Sequence, residues 1–249
     1  MILVVGGTKE GNEVVKILRN KNKRQDESGV LKATYGEDVS MGVVSLPMSL
    51  NCPMTAHLIR KYKVKVLIDA APVYFKGASI KTMAACRMTG VRYIRFEPPA
   101  VCWDESQASY TAKNIEEACE KAMGFGKVVF LNIGNNNINI FTKRAAQEGK
   151  RVVVRAPDPG ALTNSLKFGI DRHDILLIDG VFSEVFNRGL IKEYNISVFV
   201  TRELGRGNGV EQELSAAAAE GIPVIVIGRP KLECPKVITD YDQLAREVL

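Results

Sequence analysis

The chain is poor in the features that a membrane, metal or disulfide-framed protein needs. No run approaches the roughly 18 to 20 uncharged apolar residues of a spanning helix, and the longest apolar runs are short and rich in Val and Ile. An integral membrane protein is therefore excluded. Two histidines, His57 and His173, and five scattered cysteines, Cys52, Cys86, Cys102, Cys119 and Cys234, include no CxxC pair. Neither a metal site nor a disulfide framework is expected. No nucleic-acid-binding motif is present, and no basic stripe is interleaved with aromatics, so nucleic acid is not an expected partner. No basic segment precedes Ile2–Val5, which reads as a first strand rather than a signal peptide. The expected location is cytoplasmic, and the expected state a monomer or weak homo-oligomer.

What is present is the composition of an ordinary globular protein: 249 residues, 46% hydrophobic and 25% charged. At roughly 100 to 200 residues per domain the length suits one large or two small domains, and two are expected. The formal charge of +6 suits an anionic partner, although a solvated basic surface explains it as well.

Hydrophobic periodicity alternates between the two regular structures along nearly the whole chain. Strands are read at 2–5, 30–35, 42–46, 64–69 and 91–96, with helices after the first strand, after Pro53 and through Ile80 to Met88. The pattern restarts with a helix near 111–123 and strands at 127–133, 151–155, 175–178, 196–200 and 223–227. Helices are read at 137–147, 183–194 and 210–220 and at the C-terminus, while Pro157 and Pro159 are read as loop. Such alternation implies parallel sheets with helices on their faces. Two Rossmann-like domains are expected, 1–105 and 106–249, with an interdomain cleft.

The first strand-to-helix turn, Gly6-Gly7-Thr8-Lys9-Glu10-Gly11, is a variant of the dinucleotide fingerprint. Free N–H groups at a helix start attract a phosphate, and glycine lets it approach the backbone. A tight turn with no ligand fits the same string. The acid expected about 20 residues on, at the end of the second strand, is not clearly present. Lys21, Lys23 and Arg24 would suit a 2′-phosphate, hence NADPH, and equally suit an exposed loop. Short-chain dehydrogenase chemistry is excluded, because none of the seven tyrosines has Lys four residues on.

Three further segments fall at strand ends. Asp69-Ala70-Ala71-Pro72-Val73-Tyr74 makes Tyr74 and Lys76 candidate contacts, unless Asp69 merely caps a helix and the aromatics pack. Thr201-Arg202-Glu203-Leu204-Gly205-Arg206 reads as an anion-binding loop or as a plain one with solvated arginines. Gly180 to Ser183 starts a helix, with Ser183 placed as its N-cap.

In order, these pieces resemble the precorrin-6A reductase family of corrin biosynthesis, including its cobalt-precorrin-6A form, over nearly the whole chain. The opening ILVVGGTKE is similar to the family's strand and GGTxE turn, and Leu67 to Ala70 to the start of its DATHPFA segment. Tyr93 to Pro98 with Trp103 resembles its Arg-x-x-Pro strand end, Gly180 to Ser183 its GPFS, and Val200 to Arg202 with Gly205 its VTKxSG loop. The chain departs from the pattern at Ala71, Pro72 and Val73, where the family has Thr, His and Pro, and at Arg202 and Leu204, where it has Lys and Ser.

The resemblance implies an NADPH-dependent oxidoreductase that reduces one carbon–carbon double bond of an anionic tetrapyrrole, with hydride to C19 and a proton to C18. The implied cofactor contacts are Gly6, Gly7, Thr8, Glu10, Asp69, Ala70, Thr201, Arg202 and Gly205. The implied substrate contacts are Lys76, Arg95, Ser183 and Arg206, with Tyr74 or solvent as proton source. The alternatives are a non-catalytic NADP(H)-binding redox sensor and a paralogue with a different substrate.

Overall fold

The computed structural model describes residues 1–6, 9–22, 30–35, 43–46, 51–103, 109–134 and 137–249. The chain folds into two compact units, Met1–Pro99 with Lys231–Leu249, and Ala100–Pro230. The expected boundary near residue 105 thus needs a correction at the other end of the chain, since 231–249 belong with the first unit.

The first unit contains β1 (Ile2–Val5), α1 (Lys9–Asn22), β2 (Val30–Tyr35), β3 (Val43–Leu46), α2 (Cys52–Lys61), β4 (Val66–Asp69), α3 (Lys76–Thr89) and β5 (Arg92–Phe96). A two-residue strand, Val237–Ile238, and the helix Tyr241–Val248 return to it at the end of the chain; in chain order they are β12 and α9. Sheet order is β12-β5-β4-β1-β2-β3, and every pairing is parallel.

Alternation along the strands feeds two cores. Leu3, Val5, Leu67 and Tyr93 meet Leu58, Ile59, Met83 and Cys86 of α2 and α3. Ile2, Val4, Ile68, Ile94 and Phe96 meet Val14, Val15 and Leu18 of α1 and Leu244 and Ala245 of α9. A parallel sheet covered on both faces requires such near-continuous apolar strands. Burial of the Cys86 thiol in the first core, together with nearby Asp69, pushes it up to about 12.

The second unit contains β6 (Ser109–Ala112), α4 (Ile115–Met123), β7 (Val128–Asn132), α5 (Ile138–Gln147), β8 (Arg151–Ala156), α6 (Pro159–Lys167), β9 (Ile175–Leu177), α7 (Glu184–Glu193), β10 (Val198–Arg202), α8 (Val210–Glu220) and β11 (Val224–Ile227). Its sheet order is β6-β11-β10-β7-β8-β9, again all parallel. Phe130, Val153, Phe199 and Val226 pack against Leu190 and Ile191 of α7 and Ala216 and Ala217 of α8.

Three elements differ from the sequence reading. Residues 109–112, half of them read as helix, form β6, because the helix starts only where Asn114 caps it by accepting from the Glu117 N–H at 2.8 Å. Pro159 opens α6 instead of ending the strand in a loop. It occupies a first-turn position, where its missing N–H costs nothing, behind Asp158, which accepts from Ala161 N at 2.9 Å. The short β12 completes the first sheet.

Both sheets have the strand order 3-2-1-4-5-6 of the doubly wound dinucleotide-binding fold. The sixth positions are exchanged. The strand that follows the first unit's five, β6, fills the sixth place of the second sheet, and the strand that follows the second unit's five, β12, fills the sixth place of the first.

Candidate functional site

In this strand order a ligand crevice opens at the carboxyl ends of strands 1 and 4, where successive crossovers leave in opposite directions. In the first unit those strands are β1 and β4, which are register neighbours with Val5 opposite Asp69. A Cβ on Gly6 would stand 2.8 Å from the Ala70 carbonyl oxygen, and one on Gly11 3.1 Å from that of Gly6. The start of α1 therefore lies against the end of β1, which lies against the residue after β4. That is the close helix–strand packing for which the fingerprint reserves its glycines. Gly7 and Thr8 lie outside the described residues. Glu10, in the first turn of α1, acts with Glu13 and, above both, burial to raise the Tyr241 phenol on α9.

Asp69 closes β4 and is 0% exposed. Its Oδ1 accepts from Ala71 N at 2.9 Å and Arg95 Nη1 at 3.0 Å, and its Oδ2 accepts from the Tyr93 hydroxyl at 2.6 Å. Arg95, 1% exposed, also donates to Ser79 Oγ and, through Nε, to Glu97 at 3.1 Å. Burial disfavours the guanidinium charge, but Asp69 and Glu97 outweigh it, so Arg95 is raised above its ordinary value. Burial, and after it Asp69, pushes the Tyr93 phenol far up.

This geometry corrects two expectations. Asp69 was expected at the cofactor and Arg95 at a substrate carboxylate, yet both are sealed from solvent and spent on each other. Their place is behind the crevice, where they fix the start of the 70–75 segment. Ala70 is buried against Gly6. Phe75 N donates to the Pro72 carbonyl at 2.8 Å, which makes a tight turn containing half-buried Tyr74. Lys76 is the exposed first residue of α3.

In the second unit strands 1 and 4 are β7 and β10, and a carboxylate sits between their ends. Glu213, in the first turn of α8 and 1% exposed, accepts from Thr201 Oγ1 at 2.6 Å and Asn132 Nδ2 at 2.6 Å. Arg155 Nη1, from β8, lies 3.6 Å from the same carboxylate. Burial pushes Glu213 up in spite of all three neighbours, and burial pushes Arg155 down. The Thr201 hydroxyl, expected at the cofactor, is thus turned inward.

The loop after β10 is held by a second buried acid. Glu203 Oε1 accepts from Val101 N at 3.0 Å, Gly205 N at 2.9 Å and Arg229 Nη2 at 3.2 Å, and Oε2 pairs with Arg229 Nε. Gly205 has φ 95°, a left-handed conformation that a side chain would strain. Arg202 is half-buried, with its Nη1 3.4 Å from where a Cβ of Gly134 would be, and Arg206 is exposed. Ser183 caps α7, accepting from Phe186 N at 3.3 Å.

The sequence reading missed Glu203, Glu213, Arg155 and Asn132. A first-turn glutamate reads as an ordinary dipole partner, and a strand-end arginine reads as solvated. The one available signal was that Asn132, Arg155 and Glu203 fall at or just beyond carboxyl ends of strands, while Glu213, in the first turn of α8, carried none. Two open depressions, about 410 Å³ beside Cys86, Val91 and Pro235 and about 480 Å³ between α4 and α5, lie away from both crevices. Among the described residues no group of three or more His, Cys, Asp or Glu could hold a metal ion, and no helix is long and apolar enough to cross a membrane.

Comparison with known proteins agrees with this architecture. The chain is similar to the cobalt-precorrin-6A reductase of Methanocaldococcus jannaschii, 28% identical over 254 residues that cover 99% of this chain and 97% of that one. It is similar to the precorrin-6A reductase of Mycobacterium tuberculosis, 27% identical with 100% and 96% covered. The solved structure of a CobK precorrin-6A reductase shares the fold, with TM-score 0.80 at 21% identity over 99% of this chain and 95% of that one. The model of the family described as "Precorrin-6x reductase CbiJ/CobK" matches residues 1–248, and with that match the chain belongs to the precorrin-6x reductase family.

Proposed function

We propose that the protein reduces one carbon–carbon double bond of (cobalt-)precorrin-6A with NADPH, giving (cobalt-)precorrin-6B. The observation that carries this reading is the family match over residues 1–248, which runs through both crevices. The sterically confined pair Gly6 and Gly11 supports a bound dinucleotide. Gly6 and Gly11, where a Cβ would press on backbone atoms at 2.8 and 3.1 Å, let the N–H groups of α1 come close to the crevice, where a pyrophosphate would accept from them.

Bound there, NADPH would supply the hydride delivered to C19. The protein's own share is binding, orientation and a proton. The backbone at Gly6 with Gly7 and Thr8 holds the phosphates, and Ala70 shapes the crevice wall. Lys76 is a proposed partner for an acetate or propionate group of the macrocycle, where a charge-assisted bond helps set its orientation. Tyr74 or water delivers the proton to C18. Asp69, Arg95 and Thr201 act from behind, holding the strand ends that present these groups.

The test is anaerobic incubation with NADPH and precorrin-6A, with and without cobalt, following nicotinamide absorbance and tetrapyrrole mass. A gain of two hydrogens matched to NADPH consumed is expected. NADPH binding without reduction of either form would overturn the reading. Unchanged turnover in Tyr74→Phe would leave the proton to water.

A further inference from the structure

Arg155 is 9% exposed, and its Nη1 has no hydrogen-bond partner among the described residues. Its other groups reach outward from the sheet. Nη2 donates to the Gly180 carbonyl at 3.0 Å, and the guanidinium lies 4.9 Å from the centre of the Phe182 ring. Phe182 in turn stacks on Phe186 at 4.5 Å and 23°. Val181, Val185 and Phe186 are exposed around this pair.

An exposed apolar cluster is ordinary when scattered and informative when something holds it in one place. Here Gly180 sits at φ 124°, a turn that supplies little stiffness of its own. A buried guanidinium that donates to that turn and stacks on its aromatic ring supplies what the backbone lacks. Glu213, 3.6 Å from Arg155 Nη1, bounds the guanidinium on its inner side while also tying the ends of β7 and β10 through Asn132 and Thr201.

We propose that Arg155 is a positioning residue: seated beside Glu213, it fixes the Gly180–Ser183 turn so that Phe182 and Phe186 form a preformed apolar face for the macrocycle. The macrocycle part rests on the function proposed above. The positioning part rests on the geometry alone.

The experiment compares the full chain with Arg155→Lys, Arg155→Met and Phe182→Leu by amide hydrogen exchange and by steady-state kinetics. Lysine keeps the charge but cannot both stack and reach Gly180. In Arg155→Lys the amides of 181–187 are expected to exchange at least about tenfold faster while β8 is unchanged, the loss of about one charge-assisted bond. The KM for precorrin-6A is expected to rise about tenfold, with the KM for NADPH little changed, by the same equivalence.

Full rescue by lysine in both readouts would reduce Arg155 to charge balance and overturn the proposal. So would a parallel rise of both KM values, the mark of a merely structural role. Should Arg155→Met fail to fold, Phe182→Leu still tests the apolar face, and an unchanged KM for the macrocycle there would remove that part. If the unaltered chain does not reduce precorrin-6A, the macrocycle part falls with the proposed function, and the exchange data still decide the positioning part.

Discussion

Asp69 and Arg95 are register partners on neighbouring parallel strands, and their side chains meet at 3.0 Å in a place that solvent does not reach. Removing one member of such a pair strands the other as a buried charge. Arg95→Met is therefore expected to lower unfolding free energy by about 3–5 kcal/mol, read from urea midpoints. Tyr93→Phe removes only a bond to the carboxylate and is expected to cost about 1.5–3 kcal/mol. Equal losses in the two variants would show that Asp69 does not depend on Arg95 for its charge.

Gly11→Ala sets two effects against each other. Alanine improves helix propensity by about 1 kcal/mol, yet its Cβ meets three backbone atoms of Gly6 at 3.1 to 3.2 Å. Overpacking of this kind costs about 1–3 kcal/mol, so a net loss is expected. It should come with weaker NADPH binding in a fluorescence titration, since α1 is pushed off the crevice. A more stable variant that binds NADPH normally would mean the contact relaxes freely.

The raised Glu213 carboxyl makes stability depend on pH in a defined direction. From the ordinary value of 4.5 up to the raised one, the native state holds a proton that the unfolded chain has released. Stability contributed by this group is therefore full below 4.5 and falls as pH rises through the raised value. Denaturant midpoints of the unaltered chain minus those of Glu213→Gln should decline across that window. A difference that grows with pH would mean the neighbouring Arg155 holds Glu213 ionised.

A chain stopped after Pro230 loses β12 and α9. Arg95 N and Glu97 N then lose their bonds to the Lys236 and Ile238 carbonyls, and Ile94, Phe96, Val14 and Leu18 lose cover. Each fully buried apolar side chain contributes about 1.5–3 kcal/mol. That chain is expected to lose amide hydrogen-exchange protection in β4 and β5 while β7 and β10 keep theirs; unchanged protection in β4 and β5 would show that the first unit does not need the returning segment.

The long periodic elements were legible in the residues. Val210–Glu220 forms the helix its spacing implies, and Val30–Tyr35 the strand. Short elements were not, because four residues such as Ser109–Ala112 carry too little pattern to stand apart from a helix that follows. At the candidate site the glycine turn and strand ends could be read, since backbone chemistry dictates them locally. Asp69 with Arg95, 26 positions apart, and Glu213 with Arg155 could not. A polar side chain at a strand end points either to a ligand or to a buried partner, and only the folded neighbours decide which. Lys231–Leu249 was assigned to the wrong unit for the same reason, as pairing of β12 with β5 leaves no local mark.

The exchange of sixth strands reverses the order in which the two units can mature on the ribosome. Domains ordinarily complete themselves in the order they are synthesised. Here the second unit is a continuous stretch, Ala100–Pro230, and has all its strands once that stretch emerges. The first unit, begun earlier, waits with one sheet edge and the adjoining flank of α1 uncovered until Lys231–Leu249 arrives. During that interval the nascent chain carries a finished unit downstream of an unfinished one, and β5 is the edge on which a chaperone or a neighbouring nascent chain would act.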